Sequence, residues 1–323
     1  MIAALLTEHG SPPTPTPYEL PEPVAGQCRV RVTAAPIAPL DLLCASGTSY
    51  FGPPALPYVP GVQGVGVVEH GSAVGSRVWF ATDAGMNAGD GSLAEAAVID
   101  EAETVPLPDG VGDASAAALG LSAVAAWMAL TWKARLRPGE RVLVLGAGGA
   151  VGQVAVQAAT TLGGEVVAAS RRESGRRRAL DHGATATVDL AGADVDELET
   201  RMRAVAGSFD VVVDPVCGPA ATAALRMLGS GGRLVHLGAS GGPTATFSSA
   251  ALRSGSHSIL GYTNTALTRE QRAGALTRVL ELAAAGWCEV SHETIDLDGV
   301  AEAWTRAGSS PGHRIVVVPP APA

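Results

Sequence analysis

The sequence predicts an α/β protein in two parts, a β-rich domain and a doubly wound parallel sheet. Three observations carry that prediction. Pro and Gly punctuate short β-like runs over the first hundred or so residues. From Arg141 onward, strand-like and helical segments alternate. A glycine cluster, Gly146, Gly148, Gly149 and Gly152, sits where one such strand runs into a helix. Buried strands alternating with helices are the pattern of a parallel sheet covered on both faces.

Taken in order, the β-like runs of the first part are Cys28 to Thr33, Gly64 to Glu69, Arg77 to Phe80 and Ala94 to Ile99. The Pro-rich stretch from Ser11 to Pro23 reads as a surface hairpin or extended loop, because strand-like segments flank it. The character changes near Asp113: Ala114 to Arg135 is an Ala-rich run suited to helix, interrupted by Gly120. Val142 to Leu145, Glu165 to Ala169, Asp210 to Val213, Arg233 to Leu237 and Ser258 to Gly261 then predict strands. Gly152 to Leu162 and Ser174 to His182 predict helices. Thr268 to Ala285 is an amphipathic helix with Thr268 as N-cap and Gly286 as its stop. Arg314 to Val318 is a last strand with nothing after it to pair with, so it is expected to return to the first part.

At 323 residues the chain suits two domains, and 47% hydrophobic against 16% charged residues argues for packed cores over disorder. Aromatic residues make up only 4%, so Ala, Val and Leu must fill the interior. A formal net charge of −9 repels phosphate backbones at long range and excludes nucleic acid as the main partner. Within that acidic chain Arg171, Arg172, Arg176, Arg177 and Arg178 form one dense basic run, the size of a site for one phosphate. Cys28, Cys44, Cys217 and Cys288 are far apart, with neither a disulfide framework nor a zinc spacing. Apolar stretches are broken by Gly or charge, and Met1 to Leu6 reads as a strand. A soluble, cytoplasmic protein without a membrane partner is expected.

The motif of highest specificity is Arg141-Val-Leu-Val-Leu-Gly-Ala-Gly-Gly-Ala-Val-Gly152. Glycines let the backbone turn tightly and approach a pyrophosphate, and the helix N-terminus offers N–H groups and partial positive charge to it. Gly146, Gly148, Gly149, Ala150, Val151 and Gly152 are therefore candidate dinucleotide-binding residues. The next strand ends in Ser170-Arg171-Arg172, where a carboxylate would select NAD. A hydroxyl followed by guanidinium groups suits the 2′-phosphate of NADPH, and Arg176 is expected to add to the patch.

Several marks together resemble the zinc-free quinone oxidoreductase branch of the medium-chain dehydrogenase/reductase superfamily. They are Pro39-Leu-Asp41, Pro57 to Val68, Leu119 to Ala123, Gly146 to Gly152, His182-Gly-Ala184, Phe209 to Asp214 and Gly231 to Val235. The resemblance implies a discontinuous GroES-like substrate domain, residues 1–117 and 265–323, and a Rossmann domain, residues 118–264. It implies NADPH-dependent reduction of a quinone or an α,β-unsaturated carbonyl, and a homodimer. Zinc members carry Gly-His-Glu where this chain has Gly61-Val62-Gln63, and cysteines at positions matching Ala38 and Leu119; Val, Ala and Leu cannot ligate a metal.

The resemblance also supplies further candidates. Ser122 matches a Ser/Thr position near the cofactor phosphates; Gly238, Ala239 and Ser240 follow a strand end that lines the nicotinamide pocket; Arg314, a further cofactor-binding candidate, stands where members often carry Lys. Tyr50 is the candidate proton donor, although its spacing is one residue long and Ser49 lies nearer the usual position. Asp41 and Gln63 complete the catalytic candidates, Gln63 as a polar cleft residue and Asp41 with a structural reading beside it. Two other readings stay open: an enoyl-thioester reductase of a biosynthetic pathway, and a nucleotide-binding protein with little redox activity.

Overall fold

A computed structural model describes residues 1–320 of the chain. The N-terminal elements are β1 (Ile2–Leu5), β2 (Thr14–Pro17), β3 (Gln27–Pro36), α1 (Pro39–Ala45), β4 (Gln63–His70), β5 (Arg77–Ala81), β6 (Ala96–Asp100) and β7 (Thr104–Pro106). Helix α2 (Asp113–Met128) continues as a π-helical turn over Ala129–Ala134, which ends at Arg135 in the left-handed region (φ 51). The alternating part runs β8 (Arg141–Leu145), α3 (Ala150–Thr161), β9 (Glu165–Ser170), α4 (Glu173–Asp181), β10 (Ala186–Asp189), α5 (Val195–Val205), β11 (Phe209–Asp214), α6 (Gly218–Arg226), β12 (Leu228–His236), α7 (Ser249–Ser254) and β13 (Ser258–Gly261). The chain then passes through α8 (Arg269–Ala284), β14 (His292–Asp296), α9 (Val300–Gly308) and β15 (Arg314–Val318).

Contacts divide the chain into two compact units, Met1–Gly120 with Leu276–Gly286 and Val290–Ala323, and Leu121–Ala275 with Trp287–Glu289. The second unit thus starts at Leu121, where 118 was expected, and runs on past 264 to Ala275. The division falls beside Gly120, where α2 kinks (φ 33, ψ −134). A Cβ at Gly120 would collide with the carboxamide of Gln63, so only glycine can turn the chain here.

In the first unit a seven-stranded sheet runs β14-β15-β3-β4-β5-β7, with β6 pairing to β3 off that path. β15 closes the chain onto β3 through the pairs Val316↔Pro36 and Val317↔Ala35. Val30, Val32, Val78, Phe80, Leu93, Ile315 and Trp304 pack in one core. The Pro-rich stretch supplies β2, which pairs antiparallel with β1 to make a hairpin.

In the second unit a six-stranded parallel sheet runs β10-β9-β8-β11-β12-β13. Counted within the unit this is strand order 3-2-1-4-5-6, the order of the dinucleotide-binding Rossmann fold, with its switch point between β8 and β11. Leu143, Val167, Val212 and Leu234 pack on one face against Leu198, Met202, Ala221 and Ala224 from α5 and α6. The run Asp113–Ala134 has the length and hydropathy of a membrane span, yet most of it is buried within the protein. All four cysteines are unpaired and buried.

Candidate functional site

Strand β8 delivers the chain at Leu145 into Gly146, whose positive φ (64°) starts the turn. Gly149 N–H donates to Gly146 O (3.0 Å), and Ala147 N–H ties the turn to Ala169 O on β9 (2.9 Å). A Cβ on Gly152 would overlap Gly146 O, so α3 packs onto the turn only because residue 152 is glycine. Ala150, Val151 and Gly152 form the first turn of α3, whose N–H groups have no acceptor within the helix, and no side chain caps it. These donors and the helix dipole converge on the turn, the arrangement that holds a pyrophosphate.

At the carboxyl end of β9, Ser170 is buried and its Oγ would lie 3.0 Å from a Cβ on Gly148 and 2.8 Å from one on Gly175. Both glycines therefore serve close packing of α4 on the turn. Arg171 and Arg172 follow, both exposed. Arg176 does not join them at the surface. Its Nη1 donates to Ser170 O (3.0 Å) and Arg171 O (3.3 Å) and lies 2.9 Å from Asp189 Oδ1. Its Nη1 is thus engaged by this unit's own acceptors, a bracing role that the sequence did not indicate.

Across the switch point the loop after β11 meets the turn, since a Cβ on Gly146 would lie 2.8 Å from Val216 Cγ2. Asp214, fully buried, accepts from Val216 N–H (3.0 Å) and Cys217 N–H (2.7 Å), which holds Cys217 at φ 60 before α6. Its second oxygen pairs with His236 Nδ1 (2.9 Å) at the end of β12. Gly238, Ala239 and Ser240 continue from there, and Ser240 Oγ donates to Pro215 O (3.2 Å). Gly238 has no room to spare, because a Cβ there would sit 3.3 Å from the same carbonyl. Ser122 lies buried on the second half of α2.

The first unit places its candidates differently from the sequence expectations. Asp41 is buried at the start of α1 and accepts from Ala38 N–H (2.7 Å), Gly61 N–H (3.2 Å) and Val62 N–H (2.8 Å). Its carboxylate clasps α1 to the segment before β4 and is no catalytic group. Burial pushes its carboxyl up to about 6, against the opposing pull of these N–H donors and of Arg314. Arg314, expected at the cofactor, is instead buried beside Asp41 and donates to Ile37 O (3.0 Å). Burial lowers its guanidinium to about 10, with Asp41 acting in the other direction. Gln63, expected in the cleft, is 1% exposed and accepts from the Trp79 indole N–H (3.2 Å). Its backbone carbonyl accepts from Ser92 Oγ. Gln63 is therefore a core fastener. Tyr50 is 75% exposed in the turn after α1, its ring 4.4 Å from that of Phe51.

Two family models match the chain: an alcohol dehydrogenase GroES-like domain over residues 24–109 and a zinc-binding dehydrogenase over residues 150–281. A quinone oxidoreductase of Rattus norvegicus is 33% identical over 230 residues, 69% of this chain and 67% of its own length. The solved quinone oxidoreductase of Thermus thermophilus, described with its NADPH complex, is 30% identical and covers 98% of this chain and 100% of its own, with a TM-score of 0.80. The chain belongs to the quinone oxidoreductase branch of the medium-chain dehydrogenase/reductase superfamily. A polyketide synthase of Streptomyces halstedii is also similar, at 39% identity over 224 residues, 66% of this chain and 4% of the synthase.

Zinc is the metal that one family model of this medium-chain oxidoreductase carries in its description. The positions matching the zinc ligands hold Ala38, Val62 and Leu119, all buried and none with a donor atom in its side chain. Among the described residues no cluster of three His, Cys, Asp or Glu is placed to hold a metal. The residues present do not fit a catalytic zinc.

Sequence reasoning missed several groups that shape the oxidoreductase's nucleotide unit. Gln153, on α3, donates from Nε2 to Gly148 O (2.9 Å) and so braces the turn from behind. The His236–Asp214 pair was invisible because its partners are 22 residues apart and meet only through strand register. Tyr262, after β13, donates to Asn264 Oδ1 (2.6 Å), and Asn264 Nδ2 donates to Leu121 O (3.1 Å), tying this end of the sheet to α2. A polar residue at or just past the carboxyl end of a strand in a parallel sheet was the one signal that could have found His236 and Tyr262.

Proposed function

We propose that this oxidoreductase binds NADPH and reduces a quinone or an α,β-unsaturated carbonyl without zinc. The observation that carries the reading is the end of β9, where Ser170-Arg171-Arg172 stands beside the glycine turn in place of a carboxylate. The N–H groups of Ala150, Val151 and Gly152 would take the pyrophosphate, Arg171 and Arg172 the 2′-phosphate, and the Gly238–Ser240 loop the nicotinamide end. When bound, the cofactor supplies a hydride and leaves oxidised. With no donor atoms at residues 38, 62 and 119 for a Lewis acid, the acceptor must already be electrophilic. Conjugation in a quinone or enone spreads the incoming charge onto oxygen, where a few hydrogen-bond donors stabilise it. Tyr50, on its exposed turn, is the proposed donor of the proton that an enone needs. Water can protonate a reduced quinone.

Similarity to a segment of a polyketide synthase supports a second reading, reduction of an enoyl thioester. Following NADPH absorbance with a quinone, a small enone and an enoyl thioester in parallel separates the two. Turnover on the first two alone supports the proposal, turnover on the thioester alone supports the second, and binding without turnover on any acceptor points to a nucleotide-binding role. Arg171→Ala is expected to weaken NADPH roughly tenfold or more and NADH far less; equal losses would overturn the cofactor assignment.

We further propose a cytoplasmic homodimer. β13 is the edge of the parallel sheet, with no strand on its outer side among the described residues, and it carries the exposed Ile259. A second copy pairing there would cover both the edge and this side chain.

A further inference from the structure

The carboxyl ends of β9 and β10 lie side by side, with Asp189 opposite Ser170 in the parallel register. A carboxylate is thus held one strand away from the residue at which the proposed 2′-phosphate site begins. It is also held firmly. Asp189 Oδ1 accepts from Ala191 N–H (2.8 Å) and its carbonyl from Arg201 Nη1 (2.8 Å). Unscreened, such a carboxylate repels a dianionic phosphate, and it does so more strongly where water is partly excluded.

Arg176 answers that charge. Its Nη1 lies 2.9 Å from Asp189 Oδ1, and its side chain is 18% exposed. The same nitrogen donates to the carbonyls of Ser170 and Arg171, the two residues that open the basic strand end. One guanidinium therefore neutralises the neighbouring acid and fixes the backbone from which Arg171 projects.

We propose that Arg176 is a specificity-determining positioning residue, which masks Asp189 and so permits a 2′-phosphorylated nucleotide at the β9 end without contacting the phosphate. The proposal rests on the NADPH reading above. It explains how a strand end flanked by an acid can still favour the more highly charged cofactor.

The test is calorimetric titration of NADPH and NADH into the full chain, with Arg176→Met, Asp189→Asn and the double variant. Arg176→Met is expected to weaken NADPH roughly tenfold while NADH changes by less than about threefold. Asp189→Asn alone should change either cofactor little, yet in the Arg176→Met background it should recover most of the lost NADPH affinity. That non-additivity is the signature of masking. An equal gain from Asp189→Asn in both backgrounds overturns the proposal, because Arg176 would then meet the phosphate directly. Equal losses for NADPH and NADH also overturn it, leaving Arg176 a purely structural brace. Should Arg176→Met not fold, Arg176→Lys keeps the charge and is expected to hold the NADPH preference within about threefold; a loss near tenfold overturns masking by charge. A wild-type chain that binds both cofactors equally defeats the NADPH reading itself, and that is seen before any variant is made.

Discussion

Removing the Asp41 carboxylate strands the N–H groups of Ala38, Gly61 and Val62 in a dry interior and leaves Arg314 beside them without its counter-charge. Asp41→Ala is expected to destabilise the first unit by about 3 kcal/mol or more, read as a lower denaturation midpoint with the fold retained at low denaturant. The pH dependence has a definite sign. Burial raises this carboxyl from 3.8 to about 6, so between those values the folded chain holds a proton that the unfolded chain releases. The contribution of Asp41 to stability therefore declines as pH rises through that window and is level above it, and Asp41→Ala should lack the decline. Tyr50 makes the opposite case, a side chain whose ring lies against Phe51 and faces solvent. Tyr50→Phe should leave stability and quinone turnover unchanged while slowing enone turnover about tenfold or more. An unaltered enone rate removes it from the mechanism. Sequence marks put Asp41, Gln63 and Tyr50 together as catalytic candidates, Asp41 with a structural reading beside it. Only the depth to which the fold buries the first two, and the three backbone donors around Asp41, separates fastener from candidate reagent.

Among the elements, the kink in α2 depends on one residue. Gly120→Ala would drive a methyl group into the Gln63 carboxamide at a backbone conformation (φ 33) that alanine adopts only under strain. The expected loss is about 2–4 kcal/mol, measured by chemical denaturation, together with a change in Trp79 fluorescence as its bond to Gln63 breaks. The kink also shows what could be read in advance: Gly120 visibly interrupts an Ala-rich helix, but nothing in sequence names Gln63 as the group it avoids. The strands β8, β9, β11, β12 and β13 were legible because each is an apolar run closed by a turn or charge. β10 was not, since Ala-Thr-Val-Asp contributes only Val188 to the core and is a strand by virtue of pairing to β9. β14 escaped for the same reason: none of its residues is fully buried, and its order comes from the β15 ladder. The glycine turn was legible, since Gly146, Gly148 and Gly152 each answer a local steric demand. Arg176 was legible as basic but not as occupied, because its acceptors include Asp189, thirteen residues away.

For the molecule as a whole, the proposed dimer gives a direct measurement. Ile259→Arg on the exposed edge of β13 is expected to convert a dimer to monomer in light scattering at micromolar concentration, with NADPH binding retained. A wild-type chain that is already monomeric would sink the assembly. The acidic balance of the chain disfavours anionic polymers at long range, while the arginines after β9 supply the positive charge of the proposed phosphate site. The interior position of the thiols matters for the chemistry proposed. Quinones and enones capture accessible thiolates by conjugate addition, and an enzyme turning them over meets them at every cycle. Here burial raises Cys28 and Cys44 and lifts Cys288 to about 12, while Cys217 is shut away at the head of α6. The only lysine, Lys133, rests its ammonium over the ring of Trp132. With its thiols withdrawn from the surface, the chain would resist arylation by the quinones and enones proposed as its substrates.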